Sequence, residues 1–157
     1  MRRDWHSAAV IWDFRDNEIC FLVQDSESLD PQYKRFGKQT KSVGGGVKDE
    51  DANHLATAVR EVKEEIWLRL RDGVAPPCID FDEDPNTGHE KYFFLIYFGD
   101  LIGKMRDVDI DDGDSHLSNL RFIKSSEFYL VYETQRPALQ KALVVLLESP
   151  SHELVGC

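Results

Sequence analysis

Three glutamates within residues 60–65 are the side chains of this sequence best suited to chemistry. On a helix that turns about 100° per residue, Glu61, Glu64 and Glu65 fall within one arc of roughly 100°. Carboxylates packed so closely raise each other's proton affinity unless cations neutralise them. Mg²⁺ and Mn²⁺ prefer carboxylate oxygens and retain water molecules, which can act as nucleophiles. The spacing therefore predicts a divalent-metal site.

A run of three glycines ahead of this segment favours the metal interpretation. Taken alone, Glu and Lys residues on one helix are most often a solvated face, and this alternative stays open. Gly44, Gly45 and Gly46 lie shortly before Arg60 in the sequence. We expect them to form a loop, because glycine destabilises the interior of helices and strands. The N–H groups of such a loop can bind phosphate oxygens.

Hydrophobic patterns predict the elements that would position these residues. Leu55, Val59, Val62 and Ile66 recur at helical spacing, which predicts an amphipathic helix over residues 53–66. Asp51 or Asn53 could cap this helix. Strands are predicted at 7–12 and 19–24, as a hairpin, and at 78–81, 91–98 and 120–124. Residues 138–148 are predicted as a closing helix, and residues 25–41, 72–88 and 107–114 mainly as polar connections.

Composition and charge limit the function classes. The 157 residues suit one domain, 1–157, and 41% of them are hydrophobic, enough for a sizeable core. A net charge of −10 disfavours generic binding to nucleic acids or anionic membranes. The sequence has no apolar run long enough to span a membrane and no secretory signal after Met1. The spacing of Cys20, Cys78 and Cys157 predicts reduced thiols in a cytoplasmic protein.

The segment from the glycines to the end of the predicted helix resembles the Nudix hydrolase family. The family's box reads Gly, five residues, Glu, seven residues, Arg-Glu-aliphatic-any-Glu-Glu-any-Gly-aliphatic. Seven of these nine defined positions agree with this sequence, namely Gly46, Arg60, Glu61, Val62, Glu64, Glu65 and Leu68. Ala52 stands where the pattern has Glu, and Trp67 stands where it has Gly.

The resemblance implies an α/β (α+β) fold, an α/β/α sandwich with a central mixed β-sheet. It implies that Glu61, Glu64 and Glu65 ligate Mg²⁺ or Mn²⁺ and that Arg60 orients the carboxylates and the glycine loop. The implied reaction is hydrolysis of a pyrophosphate linkage in a nucleoside diphosphate joined to another moiety. The implied partner is a nucleotide-derived small molecule, and homodimerisation is a further expectation from the resemblance.

The two departures from the pattern motivate an alternative function. Ala52 removes a carboxylate from the site, and Glu50 or Asp51 could replace it. A helix could run on past Trp67 or end differently there, and we expect this side chain in core or loop packing rather than stacked on a ligand. A non-catalytic nucleotide-binding or regulatory module of the same fold is therefore the alternative to an enzyme. Retention of all three glutamates favours the enzyme.

The general base and the substrate stay open at this point. Candidates for the base are Asp111, Asp112, Asp114 and Glu127. The acidic run does not match a calcium loop, because Asp112 and Ser118 stand where an EF-hand needs Gly and Glu. Candidate substrates are nucleoside triphosphates, nucleotide sugars, ADP-ribose and dinucleoside polyphosphates.

Other polar and aromatic residues are expected to have structural roles. The five histidines, His6, His54, His89, His116 and His152, show no metal-ligand spacing and are predicted to be surface or structural residues. Arg35, Lys38 and Lys41 are expected to form a solvated basic cluster, with a phosphate contact as the second alternative. The aromatic run 92–98 is expected mainly in the core, with one or two rings lining a base pocket.

Overall fold

The computed structural model describes residues 4–148, which form ten strands and two α-helices. The strands are β1 (Trp5–Arg15), β2 (Glu18–Ser28), β3 (Lys38–Lys41), β4 (Val43–Gly46), β5 (Arg69–Leu70), β6 (Cys78–Glu83), β7 (Glu90–Tyr97), β8 (Leu101–Ile102), β9 (Ile110–Asp112) and β10 (Ser115–Lys124). The helices are α1 (His54–Ile66) and α2 (Arg136–Glu148). Neither helix is long and apolar enough to cross a membrane.

A mixed eight-stranded sheet forms the centre of the fold, with β6, β7, β1, β2, β10 and β9 as neighbours in that order. Strand β1 runs parallel to β7 and antiparallel to β2. Strand β4 pairs with the first half of β1, and β3 pairs with the second half of β2. The sheet therefore has two branches, β1 with β4 and β2 with β3, and residues of both branches line the candidate site described below.

The two helices cover opposite faces of the sheet. Ile11 packs with Ile66 of α1 in one hydrophobic cluster, whereas its neighbour Val10 packs with Leu139 of α2 in another. Adjacent residues enter different clusters because successive side chains of a strand point to opposite faces. The predicted α/β/α sandwich with a central mixed sheet is confirmed.

Most of the predicted elements are present, with shifted ends. The hairpin is confirmed as β1 and β2, joined through Asp16 and Asn17, both of which have positive φ as a tight turn requires. The strand predicted at 91–98 is β7, and the one predicted at 78–81 is β6. Strand β10 begins five residues before the predicted start at 120. Helix α2 begins at Arg136, which places Pro137 in its first turn.

Three segments predicted to be loops contain strands instead. The polar segment 25–41 includes the end of β2 and all of β3, and residues 107–114 include β9. The glycine run is strand β4 rather than a loop. A Cβ at Gly44 would lie 2.6 Å from the carbonyl oxygen of Ser7, and one at Gly45 would lie 2.4 Å from Oε1 of Glu61. Glycine is needed because β4 lies so close to β1 and α1.

Helix α1 has a conventional start and an unusual end. Asn53 is its cap, since Oδ1 of Asn53 accepts a 2.8 Å hydrogen bond from the backbone N–H of Ala56. The helix ends at Trp67, whose φ of 68° is in the left-handed region that usually takes glycine. The chain thus ends the helix where the family pattern has Gly, with backbone strain. Trp67 is 47% exposed, so of the two expected environments, core or loop packing, the core is excluded.

The two cysteines within the described residues carry free thiols, Cys20 buried and Cys78 exposed. Cys157 and His152 lie outside the described residues.

Candidate functional site

Three carboxylates from two elements form an acidic cluster. Oxygen atoms of Glu61, Glu65 and Asp112 lie within 4.8 Å of one another. The two glutamates are buried on α1, and Asp112 is the partly exposed last residue of β9. The structure thus brings one of the four candidate acids to the glutamates. Asp111 instead lies beside His116, and Glu127 accepts a hydrogen bond from the backbone of Lys124.

Burial gives the two glutamates an unusual proton affinity. Burial raises the pKa of Glu61 to about 7, against the opposing charge of Arg60. Burial, together with the charges of Glu61 and Asp112, raises the pKa of Glu65 to about 8. A divalent cation would offset both the burial and the mutual repulsion. The donor set therefore fits a hard cation, which prefers carboxylate oxygens.

A buried polar network holds Glu65 in place. Its Oε1 accepts hydrogen bonds from the backbone N–H of Gly44, at 3.0 Å, and from Nε2 of Gln24, at 3.3 Å. Nη2 of Arg106 donates to Oε1 of Gln24 at 2.8 Å, and Nε of Arg106 donates to the carbonyl oxygen of Glu65 at 2.7 Å. The sequence offered no signal for Gln24 or Arg106, because both reach Glu65 from distant segments.

Arg60 joins α1 to the segment before it. Nε and Nη2 of Arg60 donate to the two carboxylate oxygens of Asp51 at 2.8 and 2.9 Å. Nη2 also donates to the carbonyl oxygen of Gly46, at 2.8 Å. Nη1 lies 3.0 Å from Oε1 of Glu61. Asp51, which follows the exposed Glu50, is thus the carboxylate that contacts Arg60 beside Ala52.

Glu64 lies beside the acidic cluster but outside it. Its Oε2 accepts from Nη1 of Arg60 at 3.0 Å, and its Oε1 lies 3.3 Å from Nζ of Lys48. The sequence predicted that all three glutamates converge. The structure instead brings Glu61 and Glu65 together, and Glu64 forms ion pairs with the side chains of Arg60 and Lys48.

A cavity of about 420 Å³ opens between the two branches of the sheet and includes the acidic cluster. Its wall includes Tyr92 and Phe93 from the aromatic run, and Tyr132 from the segment before α2. Lys41 also lines it, so the expected solvated basic cluster does not include this residue. The structure thus places metal-binding side chains, aromatic rings and a lysine around one space.

In the absence of metal, we expect the free energy of unfolding to fall as the pH rises through neutrality. The pKa values of Glu61 and Glu65 lie above the ordinary value near 4.5, so the folded protein retains protons that the unfolded chain has lost. Their contribution is therefore fully present below about pH 4.5 and is lost as the pH rises through about 7 to 8. Chemical denaturation in EDTA at several pH values measures this.

The control for this pH profile is the double variant Glu61→Gln and Glu65→Gln, which should show a flatter dependence on pH. Mg²⁺ should stabilise the wild-type protein more as the pH rises, because the cation competes with protons for the same oxygens. Parallel profiles for the wild type and the double variant would contradict the assignment of these proton affinities.

Comparisons with known proteins agree with this geometry. A family model described as NUDIX domain matches residues 4–148. A comparison with curated proteins gave no match. The fold is similar to the NUDIX domain of Shewanella oneidensis NrtR complexed with ADP ribose, at 13% identity, a TM-score of 0.62, and coverage of 93% of this chain and 90% of that chain.

Two further solved structures share the fold. A NUDIX hydrolase from Nitrosomonas europaea is 13% identical with a TM-score of 0.61, and the match covers 91% of this chain and 90% of that one. An Ap4A hydrolase from C. elegans, solved as a binary complex, is 15% identical with a TM-score of 0.57, and the match covers 94% and 100%. Because the family match spans all of the described residues, the chain belongs to the NUDIX domain family.

Proposed function

We propose that this protein is a divalent-metal-dependent hydrolase that cleaves a pyrophosphate linkage in a nucleoside diphosphate joined to another moiety. The observation that carries this proposal is the acidic cluster of Glu61, Glu65 and Asp112 in the wall of a cavity. Two of these carboxylates are buried with raised pKa values, and a cation would stabilise their ionised forms. Such an arrangement is costly for a protein without a ligand there.

The cation would be held by Glu61, Glu65 and Asp112. Glu64 would become a further ligand by giving up its ion pairs to Arg60 and Lys48 in favour of the cation. Bound Mg²⁺ or Mn²⁺ would supply neutralisation of charge on the phosphoryl oxygens and acidification of water. Carboxylate oxygens are the ligands that both ions prefer.

The remaining residues of the site would hold this arrangement in place. Arg60 ties α1 to β4 through Gly46 and compensates the charge of Glu61. The N–H of Gly44 is engaged by Glu65, and β4 is paired with β1. Gly44, Gly45 and Gly46 would therefore serve the substrate chiefly by close approach of the backbone rather than by free N–H groups.

Both sequence departures that motivated a non-catalytic module are accommodated. Asp51 contacts Arg60 beside Ala52, and Trp67 ends α1 in the left-handed conformation that glycine would adopt. Three carboxylates that could hold a metal ion already lie together, and only Glu64 would have to change its side-chain orientation to join them. These contacts support the enzyme over the binding module.

A panel assay tests the proposed function. The purified protein is incubated with nucleoside triphosphates, nucleotide sugars, ADP-ribose and dinucleoside polyphosphates, with Mg²⁺, Mn²⁺ or EDTA. Released phosphate is measured with added pyrophosphatase or phosphatase, which shows which bond is broken. We expect turnover of at least one class, dependent on the metal. Stabilisation by nucleotides without turnover of any class would overturn the enzyme in favour of the binding module.

A further inference from the structure

The cavity has a basic end as well as an acidic one, and we propose that the basic end binds an additional phosphoryl group of the substrate. The basic end consists of His6, Lys41 and Lys91, all of which line the cavity. The proposal rests on the proposed function and narrows its substrate class. It favours nucleotides with a phosphoryl group beyond the diphosphate that is cleaved, over diphosphate diesters such as nucleotide sugars and ADP-ribose.

His6 and Lys91 are separated from the acidic cluster by strand β4. They are paired residues on the parallel strands β1 and β7. A Cβ at Gly46 would lie 3.6 Å from Nε2 of His6, whereas a Cβ at the preceding Gly45 would meet Glu61. Because successive positions of a strand face opposite sides, His6 and Glu61 lie on opposite sides of β4. His6 and Lys91 therefore lie apart from the acidic cluster, whereas Lys41, which pairs in register with Gln24, is close enough to Glu65 for their charges to interact.

The two lysines of the basic end form no salt bridge within the described residues. Arg60 and Lys48, near the acidic cluster, both form ion pairs with carboxylates. Among residues 4–148, by contrast, neither Lys41 nor Lys91 forms a salt bridge, although the chain has a net charge of −10. Burial lowers the pKa of Lys41, the charge of Glu65 raises it, and the charge of Lys91 lowers it. A phosphoryl group would relieve the repulsion between the two ammonium groups.

Two buried hydroxyl groups give an independent indication of a polar ligand. Ser7 and Ser42 line the cavity and are 1% and 4% exposed. Neither Oγ has a hydrogen-bond partner. Buried polar atoms in folded proteins almost always have one. A hydroxyl group can donate to a phosphoryl oxygen, so a phosphorylated ligand in this cavity would supply the missing acceptors.

A series of hydrogen bonds links the exposed His6 to His89 and Asp4. Nδ1 of His6 lies 2.6 Å from Nε2 of His89, and Nδ1 of His89 lies 2.8 Å from a carboxylate oxygen of Asp4. With both rings neutral, Asp4 and His89 fix the proton of His6 on Nδ1, and Nε2 is an acceptor. One proton added to this series of hydrogen bonds makes Nε2 of His6 a donor. Its positive charge offsets the negative charge of a bound anion.

Other charged groups around His6 oppose this protonation. Desolvation lowers the pKa of His6, and the charges of His89, Lys91 and Lys41 lower it further, whereas Asp4 raises it. A bound phosphoryl group would raise the pKa of His6, as the charge of Asp4 does. Binding of the additional group should therefore be accompanied by proton uptake, and it should strengthen as the pH falls.

Binding of inorganic tripolyphosphate in EDTA tests the basic end without metal or turnover. The variants are Lys41→Met, Lys91→Met and their combination, which keep an apolar stem of similar length. Lys38→Met is the matched control, because Lys38 is exposed on β3 and does not line the cavity. We expect calorimetry to show at least tenfold weaker binding for the double variant and no change for Lys38→Met. Equal affinity in the wild type and all four variants would overturn the proposal.

Steady-state kinetics test the substrate class. The substrates are a nucleoside triphosphate, a nucleoside diphosphate derivative with a separate phosphate on its sugar, and ADP-ribose. We expect the double variant to raise KM for one or both of the first two by at least tenfold more than for ADP-ribose, with little change in kcat. The affected substrate shows whether the extra phosphoryl group is in the chain or on the sugar. An equal loss for all three substrates would contradict the proposal.

The two measurements also separate this proposal from the proposed function. Lysine-dependent binding of tripolyphosphate by a protein that hydrolyses nothing would support the basic end and overturn the hydrolase. Hydrolysis that shows no preference for the additional group would support the hydrolase and overturn the basic end. His6→Gln should remove the part of the pH dependence of tripolyphosphate binding that His6 causes below about pH 7. Unchanged pH dependence in that variant would contradict the role of His6.

Discussion

Glu65→Gln is expected to lower metal-dependent turnover by at least about 100-fold, the scale on which removal of a charge-stabilising group acts. Gln retains an oxygen that can accept hydrogen bonds from Gly44 and Gln24, so the local geometry can persist. It removes the negative charge of a carboxylate that lies within 4.8 Å of Glu61 and Asp112. Steady-state kinetics with Mg²⁺, on the best substrate of the panel, measure the effect.

The matched control for Glu65→Gln is Glu50→Gln, which removes the same charge from an exposed side chain near the site. This control should retain wild-type turnover. In EDTA near pH 8, Glu65→Gln should be at least as stable as the wild type, because it removes one of the mutually repelling buried carboxylates. A stable Glu65→Gln protein with undiminished turnover would contradict the proposed metal site.

Asp51→Ala is expected to lower the free energy of unfolding by about 3 to 5 kcal/mol, the usual effect of removing one partner from a buried ion pair. Asp51 is 3% exposed and accepts two hydrogen bonds from Arg60. It also accepts from Oγ1 of Thr57 and from the backbone N–H of Lys48. All these donors would lose the carboxylate as an acceptor. Urea denaturation at pH 7 measures the change.

Glu50→Ala is the control for Asp51→Ala, since Glu50 is the exposed neighbour that could also have replaced the missing glutamate. Its expected effect is within about 0.5 kcal/mol. Metal affinity should fall in Asp51→Ala as well, because Arg60 would then be free to pair more closely with Glu61 and Glu64. Equal effects of the two substitutions would show that Asp51 has no special role.

The contribution of Asp51 to the free energy of unfolding should decrease at acidic pH. The hydrogen bonds from Arg60 hold the pKa of Asp51 at about 2, below its ordinary value near 3.8. Its contribution is therefore present in full above about pH 4 and is lost as the pH falls through about 2. The difference in unfolding free energy between the wild type and Asp51→Ala should narrow over that range.

Local patterns were sufficient to predict the helix that carries two of the three clustered carboxylates. The periodicity of Leu55, Val59, Val62 and Ile66 predicted α1 to within two residues of its start, and the same helix carries Glu61 and Glu65. The hairpin of β1 and β2 and the closing helix α2 followed from short-range patterns as well. Such patterns are informative because periodicity and turn residues act over a few neighbouring positions.

Propensity alone gave the wrong prediction for the glycine run. A sequence of three glycines is unfavourable in an isolated strand, which is why a loop was expected. In the folded protein, Gly44 and Gly45 lie so close to Ser7 and Glu61 that a Cβ would collide with them. The tertiary environment, which the local sequence does not contain, selects glycine there and keeps the segment in the sheet.

The sequence by itself determined the family resemblance, the helix with its three glutamates, and the acidic charge of the chain. Only the tertiary structure decided which acid joins those glutamates, that Asp51 contacts Arg60, and that Gln24 and Arg106 hold Glu65. It also placed His6, Lys41 and Lys91 around the same cavity. Gln24 and Arg106 are 82 residues apart, and His6 and His89 are 83 apart. Contacts across such distances depend on strand pairing and register, which short-range patterns do not specify.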